Sequence, residues 1–195
     1  MNYILASKSP RRREILEMLG VKFEVVTADT NEDSEERDPA RLVEELSRRK
    51  GVAVRDLLLC EGRDLSHTVI ISSDTVVEVD GEILGKPRDE EDACRMLRLY
   101  SGRTHRVLSG ICLLCGERCV FAHEVTEVEF DEMDEETVRS YVRRHKPYDK
   151  AGAYAIQGAA SAYIKGIRGD YFNVVGLPVH ALSRLYFENF GENIF

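Results

Sequence analysis

The chain has 195 residues, of which 43% are hydrophobic and 32% charged, and its formal net charge at pH 7 is −8. These proportions suit a globular protein with a sizeable core, and the negative charge excludes bulk attraction to nucleic acid or anionic membranes, so an anion site would need a local basic pocket. No apolar run approaches the roughly 20 residues that span a bilayer, and no signal peptide is apparent at the amino terminus.

The first elements alternate between strand and helix. Residues 3–6 are predicted to form a strand, and Ser9 as N-cap with Pro10 at the first position begins a helix that Gly20 ends. A second strand is predicted over residues 23–27. The same order of cap and proline, now Asp38 followed by proline, begins a second helix.

The middle of the chain adds a buried strand and a hairpin. The apolar run at residues 69–71 predicts a strand over 69–73. Two short strands at 76–79 and 82–84 flank Asp80-Gly81, a pair of residues typical of a tight hairpin turn.

The second half of the chain contains further helices and longer strands. Asp89 and Asp134 are each predicted to cap a helix, and two long strands are predicted over 107–114 and 119–130. The remaining predicted elements are short strands near 162–164 and 172–175 and a last helix opened by Pro178. Because βα units alternate with hairpins, the pattern predicts one α/β domain over residues 1–195 with a mixed sheet flanked by helices.

A basic loop joins the first strand to the first helix. It reads Ser7-Lys8-Ser9-Pro10-Arg11-Arg12-Arg13, and cations at a helix amino terminus oppose the helix dipole. Hydroxyls, backbone N–H groups and guanidinium groups at such a place can bind phosphate oxygens. A solvated basic turn and a nucleic-acid contact are the alternatives, and the loop lacks the P-loop pattern.

Two acidic positions are candidates for catalysis or metal binding. Asp74 follows the predicted strand 69–73, and ligands in α/β proteins usually bind at the carboxyl ends of strands. A carboxylate there can bind Mg²⁺ or deprotonate water, although a turn or cap residue is the ordinary alternative. Glu32 lies in an acidic stretch after the second strand, and the spacing does not say which member of that stretch would reach a metal.

Three further segments carry polar groups beside small or rigid residues. In Gly85-Lys86-Pro87 the proline restricts the backbone after the lysine, which could direct the ammonium at phosphate. The stretch 149–158 is rich in small residues and contains Gln157, which offers both a donor and an acceptor to a base edge. A surface lysine and a tightly packed loop are the alternatives. His105 is expected to be structural rather than a general base.

Five cysteines are scattered along the chain, which favours reduced thiols and a cytoplasmic setting. Cys112, Cys115, Cys119 and His123 could be taken as a zinc site, but their spacing matches no standard zinc motif. Strand residues alternate between faces, so these four side chains need not converge. We therefore expect no structural zinc.

Taken together, several segments resemble the Maf family of nucleoside triphosphate pyrophosphatases, in the family's order and along nearly the whole chain. They are Leu5-Ala6-Ser7, Ser9-Pro10-Arg11-Arg12, Glu32, Lys50, Ser73-Asp74-Thr75, Gly85-Lys86-Pro87, Ser101-Gly102-Arg103-Thr104-His105, Asp149-Lys150-Ala151-Gly152-Ala153-Tyr154, Ile156-Gln157-Gly158 and Asn173-Val174-Val175-Gly176-Leu177-Pro178. The resemblance implies an elongated α/β fold with a central cleft, similar to that of ITP pyrophosphatases. It also implies hydrolysis of a nucleotide to its monophosphate and pyrophosphate.

The resemblance also implies roles for individual residues. Asp74 matches the proton acceptor of the family, and Glu32 matches an acidic position of its site. The resemblance also implies a divalent cation, Mg²⁺ or Mn²⁺, held partly by Glu32 or Asp74, and whether Asp74 is mainly a base or mainly a metal ligand stays open. The positions expected to bind substrate are Ser9, Arg11, Arg12, Lys50, Thr75, Lys86 and Gln157. Among them Arg12, Thr75 and Gln157 match the subgroup that resembles dTTP and UTP pyrophosphatases.

Other functions stay open at this point. A non-catalytic regulator of cell division that binds nucleotide or nucleic acid is the main alternative, and a pyrophosphatase for purine triphosphates is another. The expected partner is a nucleoside triphosphate rather than a membrane or nucleic acid, because a net charge of −8 provides no broad basic face. The preferred nucleotide, with modified pyrimidines included, and the oligomeric state, with a homodimer included, are left undecided.

Overall fold

The computed structural model describes the whole chain from Met1 to Phe195. It contains the strands β1 (Asn2–Leu5), β2 (Glu24–Val25), β3 (Thr68–Val79), β4 (Glu82–Leu84), β5 (Thr104–Cys115), β6 (Arg118–Phe130) and β7 (Ile164–Arg168). It contains the helices α1 (Pro10–Met18), α2 (Pro39–Cys60), α3 (Glu90–Tyr100), α4 (Glu135–His145), α5 (Tyr171–Val175) and α6 (Val179–Phe190). None of these helices combines the length and apolar character needed to cross a membrane.

The strands form one mixed sheet in the order β2-β1-β3-β5-β6-β7, with β4 paired to β3. β1 is parallel to both β2 and β3, whereas β4 pairs with β3 and β7 pairs with β6 in antiparallel fashion. The α/β class with a mixed sheet is therefore confirmed. The chain divides into two compact units, the first comprising Met1–Asp74, Ser109–Glu124 and Gly176–Phe195, and the second Thr75–Leu108 and Val125–Val175.

In the first unit, the long helix α2 packs closely on the sheet. Its buried Val54 and Leu58 share an apolar cluster with Ile70 of β3 and Cys112 of β5. Close approach depends on Gly110 of β5, because a Cβ atom there would lie 2.2 Å from the carbonyl oxygen of Val43 in α2. The sequence correctly predicts the start of α2, where the Asp38 side chain accepts hydrogen bonds from the first backbone amides.

In the second unit, the predicted hairpin and the two capped helices are confirmed. Asp80 and Gly81 both adopt positive φ, at 52° and 84°, as a two-residue turn between β3 and β4 requires. Asp89 accepts from the Asp92 amide at 2.8 Å at the start of α3, and Asp134 caps α4 in the same way. The apolar faces of both helices bury into one cluster around Tyr100 and Phe130.

The predicted end of the third strand at Ser73 is wrong. β3 continues from Thr68 to Val79, so Asp74 lies within a strand rather than at its carboxyl end. The polar residues before Asp74 do not interrupt the strand, because the protein satisfies them internally. Ser72 Oγ donates to the carbonyl of Ser47 at 2.7 Å, and Ser73 Oγ donates to the carbonyl of Gly176 at 3.1 Å.

The predicted strand at 172–175 is also wrong, since Tyr171–Val175 is the short helix α5. A side-chain oxygen of Asp170 accepts from the Phe172 amide at 2.8 Å, which favours a turn over an extended chain. The Asn173 amide nitrogen then donates to Val107 O and Thr126 Oγ1, both at 2.9 Å. These side-chain bonds override the strand preference of the flanking valines and phenylalanine.

His105 gives the fold a predicted dependence on pH. It is 2% exposed, its Nε2 hydrogen-bonds to the hydroxyl of Tyr154 at 2.8 Å, and its Nδ1 has no partner. Burial lowers its pKa from 6.5 to about 4, with Glu78 opposing the shift. The structural role expected from the sequence fits this environment.

Because the folded state disfavours protonated His105, its contribution to stability is complete above pH 6.5 and is lost as the pH falls towards 4. The loss amounts to roughly 3 kcal/mol of unfolding free energy. Denaturant unfolding at pH 7, 5.5 and 4 measures this loss of unfolding free energy. His105→Phe is the comparison, because it has no imidazole to be protonated. If the unfolding free energy changed equally with pH in both proteins, His105 would not be the source of the pH dependence.

Candidate active site

The candidate site of the first unit centres on Asp74, which is buried within β3. Lys50, on α2, forms an ion pair with Asp74 through its Nζ atom. Ser72 lies two residues earlier and therefore on the same face of β3, and its bond to the Ser47 carbonyl fixes this face against α2. The long helix thus delivers Lys50 to Asp74.

Lys50 also pairs with a second carboxylate. Its Nζ lies 2.8 Å from Oε1 of Glu32, so one ammonium group joins Asp74 and Glu32. The side chains of Lys50 and Asp74 are only 18% and 11% exposed, whereas that of Glu32 is 54% exposed. The charges of Lys50 and Asp74 are therefore poorly screened by solvent, and Glu32 forms the open side of the group.

Arg12 is buried beside this group. Its Nε donates to the carbonyl of Gly176 at 2.7 Å and its Nη1 to Ser7 Oγ at 3.2 Å. Burial lowers the pKa of the guanidinium, and the charge of Asp74 opposes that shift. Because Ser73 donates to the same Gly176 carbonyl, this carbonyl joins α1 to the strand that carries Asp74.

Ser9 and Arg11 lie at the amino end of α1. Ser9 occupies the N-cap position and Pro10 follows it, as predicted, but the Ser9 side chain makes no capping bond. Instead, the Ser9 amide donates to Ser7 Oγ at 3.1 Å. Arg11 is half-buried, and its charge contributes to the lowered pKa of Arg12. Two cations therefore lie near each other at the positive end of a helix, an arrangement that favours bound anions.

The other three predicted substrate residues belong to the second unit. Thr75 is half-buried in β3, and Lys86 and Gln157 are exposed in loops. The Gly152 amide donates to the carbonyl of Gly85 at 3.0 Å, which ties the loop carrying Lys86 to the turn that precedes Gln157.

The donor set of the first unit fits a divalent cation. Asp74 and Glu32 converge on one cationic group, and carboxylate oxygens are the ligands that Mg²⁺ and Mn²⁺ prefer. The Lys50 ammonium pairs with both carboxylates, so the two groups already stabilise one positive charge. The protein contains no group of three or more His, Cys, Asp or Glu side chains arranged for a metal, so a cation held here would need further oxygen ligands from outside the protein.

The four residues considered as a zinc site do not form one group in the structure. Cys112 and Cys119 approach with their sulfurs 3.7 Å apart, whereas His123 Nδ1 hydrogen-bonds to Glu44 at 2.7 Å. The five cysteines are free thiols. The absence of zinc stays a prediction, to be checked by metal analysis of the purified protein.

Sequence reasoning assigned no role to Ser7, Ser73 and Gly176, although they complete the surroundings of Asp74. Ser7 accepts from Arg12 and from the Ser9 amide, and Gly176 accepts from Arg12 and Ser73. Each lies within a segment that carries the family resemblance. Their position in these segments was the signal that could have pointed to them. Their contacts could not be predicted from local sequence, because they join residues 103 and 164 positions apart.

The burial of Arg12 predicts that Arg12→Ala reduces stability as well as anion binding. The substitution leaves the Ser7 and Gly176 acceptors without a charged donor, at a cost of about 1.5–3 kcal/mol. Arg11→Ala is the matched control, because Arg11 is less buried. We expect a lower melting temperature for the Arg12 variant and weaker pyrophosphate binding for both. An unchanged melting temperature for Arg12→Ala would show that the hydrogen bonds of Arg12 to Ser7 and Gly176 do not stabilise the fold.

Comparison with known proteins agrees with the resemblance found in the sequence. A family model described as Maf-like protein matches residues 2–188. The dTTP/UTP pyrophosphatase of Symbiobacterium thermophilum is 45% identical over 98% of this chain and 95% of its own length. The protein of the same name from Clostridium perfringens is 44% identical over 94% of this chain and 95% of its own length.

Among solved structures, the Staphylococcus aureus Ham1 protein is similar with a TM-score of 0.45 and 14% identity, over 67% of this chain and 72% of that chain. The match of the family model over residues 2–188 and the identities above 40% decide the assignment. This chain belongs to the Maf family.

Proposed function

We propose that the protein is a nucleoside triphosphate pyrophosphatase that hydrolyses dTTP and UTP to the monophosphate and pyrophosphate. The observation that carries the proposal is the convergence of Asp74, Glu32 and Lys50 beside buried Arg12. This group offers a carboxylate base and cations for phosphate oxygens in surroundings partly removed from solvent. The names of the relatives at 44–45% identity support the same reaction and the same two substrates.

In this reaction, Asp74 takes a proton from the water that attacks the α-phosphorus, and pyrophosphate leaves. Lys50 holds the Asp74 carboxylate in place through their ion pair. Arg11, Arg12, Lys86 and the Ser9 hydroxyl bind the phosphate oxygens, while Lys50 also balances charge near the reacting group. A divalent cation, Mg²⁺ or Mn²⁺, held by Asp74 and Glu32, would neutralise charge on the phosphate oxygens.

Thr75 and Gln157 are proposed to select the base. The Gln157 amide offers a donor and an acceptor, which matches the imide and carbonyl edge of thymine and uracil. A site sized for one ring would in addition exclude the larger purine bases. Gln157 is exposed and Thr75 is half-buried, so both side chains have a surface available to a ligand.

The test is a comparison of kcat/KM for dTTP, UTP, CTP, GTP and 7-methyl-GTP with Mg²⁺, following released pyrophosphate. We expect dTTP and UTP to lead the purine nucleotides by about tenfold or more. A leading purine substrate would overturn the base preference alone. Nucleotide binding without any pyrophosphate release would instead favour the non-catalytic regulator.

The setting proposed for this activity is the cytoplasm, where nucleoside triphosphates are available. The five free thiols are compatible with a reducing compartment. The net charge of −8 disfavours nucleic acid as the partner. A homodimer is the assembly to test, by light scattering of the purified protein.

A further inference from the structure

The loop that carries Lys86 is joined by a hydrogen bond to the turn that contains Gly152. Gly85 precedes Lys86, and its carbonyl accepts from the Gly152 amide at 3.0 Å. Pro87, which follows Lys86, is buried. The position of the Lys86 backbone therefore depends on where Gly152 is placed.

The turn at Ala151–Ala153 has an unusual conformation that requires support. Gly152 has a φ of 67° and Ala153 a φ of 62°, in the left-handed region that an alanine rarely adopts. The turn is also pressed against β3, since a Cβ atom at Gly152 would lie 2.6 Å from a methyl carbon of Val77. Its geometry must be fixed by neighbouring contacts rather than by local preference.

Tyr100, the last residue of α3, supplies such a contact. Its hydroxyl donates a hydrogen bond to the carbonyl of Gly152. Gly152 is therefore held on both sides, with its carbonyl bonded to Tyr100 and its amide bonded to Gly85. Burial raises the pKa of the Tyr100 phenol well above its usual value, so the hydroxyl remains a donor.

The Tyr100 ring is itself immobilised by aromatic neighbours. Its centroid lies 4.5 Å from that of His105, 5.1 Å from that of Phe130 and 5.7 Å from that of Tyr154. Tyr154 directly follows the turn, and its hydroxyl bonds to His105. The hydroxyl of Tyr100 thus projects from a rigid cluster, as a positioning group requires.

We propose that Tyr100 is a positioning residue for substrate binding, acting through Gly152 and Gly85 on Lys86. This proposal rests on the proposed function, in which Lys86 binds the triphosphate. A lysine that contacts phosphate as a point charge stabilises substrate and transition state alike. Loss of its position should therefore raise KM for the nucleotide and leave kcat nearly unchanged.

The first experiment is a double-mutant cycle of Tyr100→Phe and Lys86→Ala, assayed with dTTP. Tyr100→Phe keeps the ring and its packing and removes only the hydroxyl. We expect it to raise KM about tenfold, since small displacements of a binding group can cost up to about 100-fold. In the Lys86→Ala background it should change KM less than about twofold, because no lysine remains to be positioned.

The matched control is Tyr186→Phe. Tyr186 is also fully buried and also loses a hydrogen-bonded hydroxyl, but its partners are Tyr3 and Glu192 rather than the turn. This variant should keep the wild-type KM. An equal KM effect of Tyr100→Phe with and without Lys86, or no KM effect in either background, would overturn the proposal.

Hydrogen exchange provides a readout that does not require turnover. The Gly152 amide should exchange at least about tenfold faster in Tyr100→Phe than in the wild type, because its turn loses one of two anchors. Tyr186→Phe should leave this amide protected. A wild-type protein that released no pyrophosphate would refute the proposed function. Hydrogen exchange would still test whether the Tyr100 hydroxyl anchors the turn at Gly152. Unchanged Gly152 protection in Tyr100→Phe would refute the anchor itself.

Discussion

Asp74→Asn is expected to lower turnover by about 10²–10⁴-fold while the fold is retained. The substitution preserves the size of the side chain but removes the negative charge needed to accept a proton, and general base catalysis contributes this range. Asparagine also loses the ion pair with Lys50, whose ammonium then keeps Glu32 as its carboxylate partner. The measurement is pyrophosphate release from dTTP at saturating substrate, with circular dichroism to check the fold.

Asp29→Asn provides the matched control. Asp29 also pairs with a lysine, Lys8, at 2.8 Å, but its side chain is 99% exposed. An exposed pair contributes little to stability, so this variant should have wild-type turnover and melting temperature. Wild-type turnover in a well-folded Asp74→Asn protein would remove Asp74 from the mechanism and leave it as a structural partner of Lys50.

Lys50→Met is expected to reduce both stability and turnover. It leaves the carboxylates of Asp74 and Glu32 without the ammonium that joins them. Removing one partner of a buried ion pair costs about 3–5 kcal/mol, and the half-exposed Glu32 places this case at the lower end, about 3 kcal/mol. Urea unfolding of both proteins measures the loss.

The same variant tests the affinity of the two carboxylates for metal. Mg²⁺ should stabilise Lys50→Met against urea more than it stabilises the wild type, since a divalent cation can replace the missing ammonium. Lys8→Met, which breaks an exposed ion pair, should show neither the loss of stability nor the added Mg²⁺ effect. A Lys50→Met protein as stable as the wild type, with or without Mg²⁺, would contradict the role given to Lys50.

The local signals of the sequence were sufficient for most of the fold. The order of cap and proline correctly located the starts of α1 and α2, and Asp80-Gly81 correctly located the hairpin. Such signals act over a few residues, so their physical basis is contained within the segment that carries them. The mixed character of the sheet followed from the order in which these elements alternate.

The errors arose where distant contacts decide the local structure. Ser72 and Ser73 marked the end of a strand in the sequence, but acceptors 25 and 103 positions away satisfy their hydroxyls within β3. Residues 172–175 form a helix because Asn173 bonds to Val107 and Thr126. The family resemblance named candidate site residues, but the bond between Arg12 and the Gly176 carbonyl required the folded chain.

The Gly176 carbonyl also has a consequence for folding during synthesis. Arg12 and Ser73 leave the ribosome early, whereas the carbonyl that both of them bond to is added 164 and 103 residues later, respectively. A nascent chain that has not reached Gly176 therefore lacks the carbonyl acceptor that Arg12 Nε and the Ser73 hydroxyl share. The surroundings of Asp74 are completed only after the second unit, Thr75–Leu108 and Val125–Val175, has been translated. Assembly of this hydrogen-bond network therefore waits for a late segment of the chain.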